Sequence, residues 1–144
     1  MIPKGNYPNA FYRVSIKAVI RNENNEVLLV KEGGGTWSLP GGGMDHGETP
    51  KEALAREMVE EVEIHQEFNA ICRGVGSRFL EARNAWLLWV VYELSFDSSL
   101  VFAKGADANE VAFMDPKEFR NSTVTSEKLV YKWCVDESMK VDGL

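Results

Sequence analysis

The sequence predicts a mixed α/β domain, and three features of the chain support this fold class. Segments rich in Val, Ile and aromatic residues are separated by turn residues, which is typical of β-strands. One helix with a well-defined start follows a glycine-rich loop, and an amphipathic helix comes last. A length of 144 residues suits one domain with its own core, so we expect residues 1–144 to form a single domain. The pattern leaves open whether the strands pair in parallel or antiparallel.

The strands are expected in a hairpin near the start of the chain and in two long segments after the first helix. Asn22 to Asn25 form the hairpin turn, because Asn tolerates positive φ angles. The glycines at 41–43 begin a loop that runs to Glu48, and residues 1–10 form an irregular lead-in. The predicted strands are residues 14–21, 27–31, 70–79, 85–96 and 111–114, with a short extended piece at residues 37–40.

Helix starts are marked by capping residues at two places, and a third helix is expected near the end of the chain. A capping box at Thr49, Pro50 and Glu52 predicts the helix that runs to residue 62. A similar start at Asp115 predicts a short helix. The last helix is expected over residues 126–139, and its apolar face comprises Leu129, Val130, Trp133 and Cys134.

The helix over residues 49–62 carries a cluster of acidic side chains. At about 100° per residue, an apolar arc is expected to be buried, and an acidic arc on the opposite side is expected to point outward. Such a charged face is usually solvated, but carboxylate oxygens are also the ligands that Mg²⁺ prefers. The apolar arc comprises Leu54, Ala55, Met58, Val59 and Val62, and the acidic arc comprises Glu57, Glu60 and Glu61.

Composition and charge exclude several classes of protein. The 22 Asp and Glu residues outnumber the 16 Lys and Arg residues, so the net charge is −6 and duplex nucleic acid is not an expected partner. The longest apolar run, residues 85–92, is too short to span a bilayer, so no membrane association is expected. Cys72 and Cys134 form no CxxC pair, which is consistent with reduced thiols and a cytoplasmic location.

A longer motif surrounds the acidic cluster. From Gly42 to Ile64 the chain reads GGMDHGETPKEALAREMVEEVEI, and this segment resembles the signature of the Nudix hydrolases, G-x5-E-x7-R-E-U-x-E-E-x-G-U, where U is a bulky aliphatic residue. Six fixed residues at these spacings would match by chance on the order of 10⁻⁵ times in such a chain. The preceding Leu39, Pro40 and Gly41 are also similar to the family. The matching residues are Gly42, Glu48, Arg56, Glu57, Met58, Glu60, Glu61 and Ile64.

One position departs from the signature. The family's second glycine is Glu63 here. A glycine after a helix usually supplies a left-handed cap, and another residue in that conformation costs roughly 1 kcal/mol or forces a different exit.

The resemblance implies a MutT-like pyrophosphohydrolase (EC 3.6.1.-) with an α/β/α sandwich fold, in which a mixed β-sheet is flanked by helices. Such enzymes use Mg²⁺, or Mn²⁺ in its place, and water attacks a phosphoanhydride in a nucleoside diphosphate linked to another group. The expected partner is therefore a small nucleotide-type substrate, and the expected assembly is a monomer or a homodimer. By the same resemblance the metal ligands are Gly41, Glu57, Glu60 and Glu61, the general base is one of these glutamates with Glu57 favoured, and Arg56 and Glu48 orient the loop and the helix.

Several residues outside the motif are further candidates for substrate contacts. Arg73, Arg78 and Arg83 flank the two long strands and could meet phosphates, and Glu110 stands where some family members have another carboxylate. His46 and His65 have no partner at metal-ligand spacing and are expected to be ordinary surface residues. The aromatic side chains that could stack on a base are Tyr12, Trp37, Phe79, Trp86 and Trp89, although the apolar segment around Trp86 and Trp89 predicts that these two are core residues.

Three functions are compatible with the motif. The first is a Mg²⁺-dependent pyrophosphohydrolase, which all four glutamates of the motif favour. The second is a catalytically silent Nudix-fold module that binds a nucleotide or regulates a partner. The third is an isomerase acting on a prenyl diphosphate, which would need an additional catalytic Cys and Glu, and Cys72 has no supporting context.

Overall fold

The computed structural model describes residues 11–137, so the lead-in expected at residues 1–10 and the helix end expected at Met139 lie outside the described residues. A single domain over residues 1–144 accordingly stays a prediction. In chain order the elements are β1 (Tyr12–Val19), β2 (Val27–Glu32), β3 (Thr36–Ser38), β4 (Gly41–Gly43), α1 (Pro50–Val62), β5 (Asn69–Leu80), β6 (Ala85–Ser95), β7 (Glu110–Met114) and α2 (Thr125–Cys134), with short 3-10 helices at Glu81–Arg83 and Pro116–Phe119.

The strands form two sheets, and their pairing is mixed. One sheet has four strands in the order β4-β1-β6-β5, in which β1 and β6 run parallel and the other neighbours run antiparallel. The other sheet has three antiparallel strands in the order β3-β2-β7. Parallel neighbours need a long connection between them, and α1 lies in the connection from β1 to β6.

Side chains on opposite faces of β1 and β2 enter two separate hydrophobic cores. Ile16 and Leu28 belong to the core that contains the apolar face of α1, whereas Val19 and Val27 belong to the core that contains α2. This division follows from the two-residue period of a strand, because neighbouring side chains point to opposite faces. The sheets therefore lie between the two helices, which confirms the mixed α/β class and the sandwich implied by the resemblance.

Local signals in the sequence correctly predict the Asn-rich turn and two helix starts. The predicted hairpin pairing of β1 with β2 was wrong, because the two strands enter different sheets and meet only beside the turn, where Arg21 and Val27 form an isolated bridge. Asn25 has a φ of 60°, as the Asn-rich turn requires. The Thr49 hydroxyl accepts a hydrogen bond from the Glu52 backbone N–H, and the Glu52 carboxylate accepts one from the Thr49 N–H, which completes the capping box. Asp115 caps the 3-10 helix by accepting a hydrogen bond from the Lys117 N–H.

The ends of both α-helices are also informative. Glu63 adopts the left-handed conformation, with φ 52° and ψ 37°, and its N–H donates to the Met58 carbonyl oxygen, so α1 ends as it would with a glycine. Helix α2 stops at Cys134, which is earlier than the predicted end. In the described part of the chain, neither helix is long and apolar enough to cross a membrane.

Candidate active site

The glycines at 41–43 form a short edge strand, and the prediction that they begin a loop was wrong. β4 pairs antiparallel with β1, so that Gly41 lies opposite Lys17 and Gly43 lies opposite Ser15. Gly41 has a φ of 137°, and a Cβ atom there would collide with the carbonyl oxygen of Ile16. A Cβ atom on Gly42 would lie 2.6 Å from Oε1 of Glu57. The absence of side chains on β4 therefore lets the acidic side of α1 approach the sheet.

Two of the three acidic side chains that were expected to point outward are buried. Glu57 is 8% exposed and Glu61 is 3% exposed, whereas Glu60 is partly exposed. Conversely, Val59 is 37% exposed and Ala55 is also exposed, although both were expected in the core. The prediction was wrong because periodicity groups residues on one arc but cannot show that a glycine-only strand accommodates carboxylates.

Glu61 lies at the centre of this arrangement. Its Oε1 accepts a hydrogen bond of 2.6 Å from the Gly41 backbone N–H, and its carboxyl group lies within hydrogen-bond reach of the Glu32 side chain. Burial, together with the contact to Glu32, raises the pKa of Glu61 to about 9, although the Gly41 N–H and the charge of Lys17 oppose this shift. The Glu61 carboxyl group is therefore held protonated near neutral pH, because its surroundings do not compensate a buried negative charge.

Glu57 is less strongly perturbed because it has a cationic neighbour. Burial raises its pKa above the usual value, while the Arg56 guanidinium, 3.1 Å from Oε1 of Glu57, opposes the rise. The charge of Lys17 acts in the same direction as that of Arg56. Two buried carboxyl groups, on successive turns of α1, thus face the same edge strand.

Arg56 connects the helix to the loop that precedes it. Its Nε and Nη2 atoms donate to the two carboxylate oxygens of Glu48 at 2.7 and 2.9 Å, and Nη2 also donates to the Gly43 carbonyl at 3.1 Å. This paired geometry lowers the pKa of Glu48 to about 2 and raises that of Arg56. The two residues hold the loop against the helix, and their orienting role in the reaction stays a prediction.

The donor atoms between α1 and β4 are of the type that a hard divalent cation prefers. Within residues 11–137, no group of three or more His, Cys, Asp and Glu side chains is close enough to hold a metal ion. The nearby donors are nevertheless all oxygen atoms: the buried carboxylates of Glu57 and Glu61, the Glu60 carboxylate and the Gly41 carbonyl. Mg²⁺ usually binds through few protein carboxylates and completes its shell with water and substrate phosphates, so this donor set fits the ion.

A cavity of about 390 Å³ opens beside β4. Lys17, Glu32 and Arg83 contribute charged side chains to its lining, so Arg83 is placed where a phosphate contact is possible. The Nε1 atom of Trp133 and the Oγ atom of Ser126, both buried, have no hydrogen-bond partner among the described residues. The apolar part of the lining comprises Leu39, Leu80, Leu87, Trp89, Leu129 and Trp133.

Other residues predicted to contact substrate do not line this cavity. Arg78 lies 3.5 Å from the Thr125 hydroxyl and lines a separate depression. Glu110 pairs with Lys31 at 3.4 Å, and Arg73 pairs with Glu93 at 3.4 Å. Substrate binding by Arg78, Arg83 and Glu110 stays a prediction.

The aromatic candidates separate into two groups. Trp89 is 5% exposed, as expected for a core residue, and it lines the cavity, with Trp37 partly buried nearby on β3. Trp86, also expected in the core, is 45% exposed, because it lies near the start of β6, away from the part of its face where Leu94 packs into the core with α1. Its ring packs against Tyr12 and Phe79, with centroid distances of 5.8 and 6.0 Å, away from the cavity lining. His46 and His65 are exposed, as expected.

Lys17 and Glu32 were missed in the sequence although both line the cavity. Lys17 interrupts a strand of apolar residues, and its two-residue spacing from Ser15 could have indicated a polar face on β1. No comparable signal exists for Glu32, which is the last residue of β2 and reaches Glu61 only through the tertiary fold.

Comparison with known proteins shows the family to which the chain belongs. The model of the NUDIX domain matches residues 11–134, and the chain belongs to this family. Among solved structures, the MutT protein from Methanosarcina mazei Go1 superposes with a TM-score of 0.69 at 23% identity, covering 85% of this chain and 92% of that one. The Escherichia coli dihydroneopterin triphosphate pyrophosphohydrolase superposes with a TM-score of 0.62 at 18% identity, covering 87% and 98%. These two likenesses support the fold.

Curated relatives give more specific names. The 8-oxo-dGDP phosphatase NUDT18 of Mus musculus is 35% identical over 101 residues, which cover 67% of this chain and 29% of the mouse protein. The RNA pyrophosphohydrolase of Tolumonas auensis is 40% identical over 57 residues, or 39% of this chain and 33% of that protein. The matched part is thus about a third of the length of either relative.

Proposed function

We propose that this chain is a divalent-metal-dependent pyrophosphohydrolase that cleaves a phosphoanhydride in a nucleoside diphosphate linked to another group. The observation that supports this most strongly is the burial of Glu57 and Glu61 against β4, beside a cavity lined by Lys17 and Arg83. Burying a carboxylate without a partner costs free energy, so the pair is better explained by binding a cation than by packing. The names of the curated relatives, a phosphatase and a pyrophosphohydrolase, agree with this activity.

The residues of α1 and β4 would hold Mg²⁺, or Mn²⁺ in its place. The proposed ligands are Glu57, Glu60, Glu61 and the carbonyl of Gly41. When bound, the ion would neutralise phosphate charge and lower the pKa of a coordinated water. The contact with Glu32 and the hydrogen bond from Gly41 keep the Glu61 side chain at this edge of the sheet.

The chain's own residues would perform the remaining steps. Glu57 is the favoured general base: its carboxylate would accept a proton from the water whose oxygen bonds to phosphorus, while the bond from phosphorus to the leaving phosphate oxygen breaks. Arg56 and Glu48 would hold the helix and loop in register. Arg83, at the cavity lining, would contact a phosphate.

The cavity suggests where the organic part of the substrate binds. Its wall is apolar, with Trp89 and Trp133 among the lining residues, which suits a flat heteroaromatic ring. The unpaired N–H of Trp133 favours a ligand that can accept a hydrogen bond. We therefore infer a small nucleotide-type substrate. A cytoplasmic location remains an expectation.

A panel of nucleotides incubated with Mg²⁺ tests the proposal. Nucleotide sugars, nucleoside triphosphates, dinucleoside polyphosphates and nucleotide cofactors would be compared, and the products identified by chromatography and mass spectrometry. We expect cleavage of at least one class to a nucleoside monophosphate and a second phosphate-bearing product. No cleavage of any class would favour the silent binding module instead.

A double variant tests the assignment of the site. Glu57→Gln combined with Glu60→Gln should abolish hydrolysis while leaving the circular dichroism spectrum unchanged. Glu63→Gln is the matched control, because it makes the same chemical change at an exposed position just after the same helix. Full activity of the double variant would contradict the mechanism.

A further inference from the structure

Lys17 occupies a position that the motif does not specify. Its Nζ atom lies 3.3 Å from the Leu39 carbonyl oxygen and 3.4 Å from the Gly41 carbonyl oxygen. The contact with Gly41 follows from the register of the sheet, because Lys17 on β1 is paired directly with Gly41 on β4. The Gly41 carbonyl is also the backbone ligand proposed above for the metal ion.

The positive charge of Lys17 also acts on the buried acids. The ammonium group contacts the carbonyl oxygen of the same glycine whose N–H donates to Oε1 of Glu61 at 2.6 Å, so its charge lies close to Glu61. Arg56, the cation beside Glu57, is instead held by Glu48 on the side of the loop. Lys17 thus supplies part of the positive charge beside the two buried acidic groups.

An ammonium group and a divalent ion at the Gly41 carbonyl oxygen would repel each other. At about 4 Å, a single and a double positive charge repel each other even in water, and more strongly where water is scarce. The lysine side chain is a flexible four-carbon stem that can move its charge by several Å. Because Lys17 lines the same cavity as Arg83, phosphate oxygens bound there would be within its range.

We infer that Lys17 is a tethered cation whose ammonium group contacts the Gly41 carbonyl oxygen until the divalent ion binds. The side chain then moves, and its ammonium group contacts a substrate phosphate instead. Lys17 is then a positioning residue for the substrate and a competitor of the metal. This inference rests on the proposed function, because it takes the metal site and the phosphate site from it. It predicts that removal of the charge has opposite effects on metal and substrate.

The first measurement uses the metal alone. Mn²⁺ binding to the nucleotide-free protein would be titrated at pH 7.5 by electron paramagnetic resonance of the free ion. Lys17→Gln should bind Mn²⁺ about tenfold more tightly than the wild type, since a repelling charge is removed. Lys17→Met is a second neutral variant in case the first does not fold, and Lys17→Arg, which keeps the charge, should bind Mn²⁺ like the wild type. Lys117→Gln is the matched control, since it removes one charge at an exposed position outside the cavity.

The second measurement uses the best substrate of the nucleotide panel. At saturating Mn²⁺, KM of the neutral variants should be about tenfold higher than that of the wild type. Lys17→Arg should have a KM close to that of the wild type, because it keeps the charge. A purely structural role of Lys17 would not give tighter metal binding together with weaker substrate binding.

The outcomes separate the inference from the function on which it rests. Unchanged or weaker Mn²⁺ binding in the neutral Lys17 variants, with a wild-type protein that binds Mn²⁺ through Glu57 and Glu61, would overturn the inference alone. A wild-type protein whose Mn²⁺ binding is insensitive to Glu57→Gln and Glu61→Gln would overturn the proposed function and the inference together.

Discussion

The two α-helices pack on opposite sides of the sheets, but they bury different kinds of side chain. Helix α2 buries Leu129, Val130, Trp133 and Cys134, all of which contribute apolar surface. Helix α1 buries Ala53, Leu54, Met58 and Val62, but also the carboxylates of Glu57 and Glu61.

The apolar burial in α2 stabilises the fold, whereas the burial of acidic side chains in α1 indicates a functional role. The burial in α2 is what the hydrophobic effect favours, at about 25 cal/mol per Å² of apolar surface. The burial of two acids in α1 opposes folding unless their charge is compensated. A helix that retains such a cost next to a cavity is expected to serve a function that needs it, whereas α2 provides the wall against which a ligand can pack. Substitutions in the two helices should therefore affect different quantities.

The largest effect is expected for Glu57→Gln. If Glu57 is the general base, this change should lower kcat by about 10²–10⁴-fold, because the amide cannot accept the proton from water. The thermal unfolding midpoint should not fall, since the variant removes a buried charge. Steady-state kinetics and a melting curve of the same preparation measure both quantities. A kcat within a factor of three of that of Glu63→Gln would assign the base to another residue.

The corresponding change in α2 should affect stability first. Trp133→Ala removes a large side chain that is 2% exposed, and should lower the free energy of unfolding by about 3–5 kcal/mol. Urea denaturation measures this loss. Trp133→Phe keeps an aromatic ring and removes an N–H without a partner, so its cost should be less than half as large. Equal losses in the two variants would show that volume is not what Trp133 contributes.

A third prediction concerns the pH dependence of the metal-free protein. The Glu61 carboxyl has an ordinary pKa of 4.5 when unfolded and about 9 when folded. Between these values the folded state holds a proton that the unfolded state has lost, so stability falls as pH rises. Glu61→Gln should remove this slope and raise the free energy of unfolding at pH 8 by about 1–3 kcal/mol.

Thermal unfolding in the presence of a metal chelator, recorded from pH 5 to pH 9, measures this dependence of stability on pH. The same variant should lose most of the stabilisation that Mg²⁺ gives to the wild type, because a ligand is missing. Parallel stability curves for the wild type and Glu61→Gln over this pH range would contradict the prediction.

The smallest effect is expected at the end of α1. Glu63 has a left-handed conformation that costs a side-chain-bearing residue about 1 kcal/mol more than glycine. Glu63→Gly should therefore raise the free energy of unfolding by up to about 1 kcal/mol without changing kcat. Glu63→Ala is the control, because it removes the carboxylate but keeps the strain. A gain of equal size in both variants would assign the effect to charge rather than to the backbone.

Much of the fold could be predicted because its signals are local. The Asn turn and the Thr49 capping box each depend on residues close together in the chain, and both agree with the structure. Glu48 and Arg56 are both part of the motif, and in the structure they are joined by two short hydrogen bonds.

The parts that could not be predicted depend on distant residues. The glycines of β4 have low intrinsic preference for a strand, and only pairing with β1 makes them one. Trp86 and Trp89 lie in the same apolar segment and point to opposite faces of β6. Trp89 packs into the core with α2, whereas Trp86 lies near the start of the strand, outside the core that covers its own face around Leu94.

The sequence by itself determined the order of the elements, the family motif and the chemical types of the candidate ligands. Only the tertiary structure decided that Glu57 and Glu61 are buried, and that Lys17 and Glu32 join them from other strands. The physical reason is the range of the interactions: turns, caps and periodicity act between near neighbours, whereas burial and charge compensation depend on which distant backbone comes close.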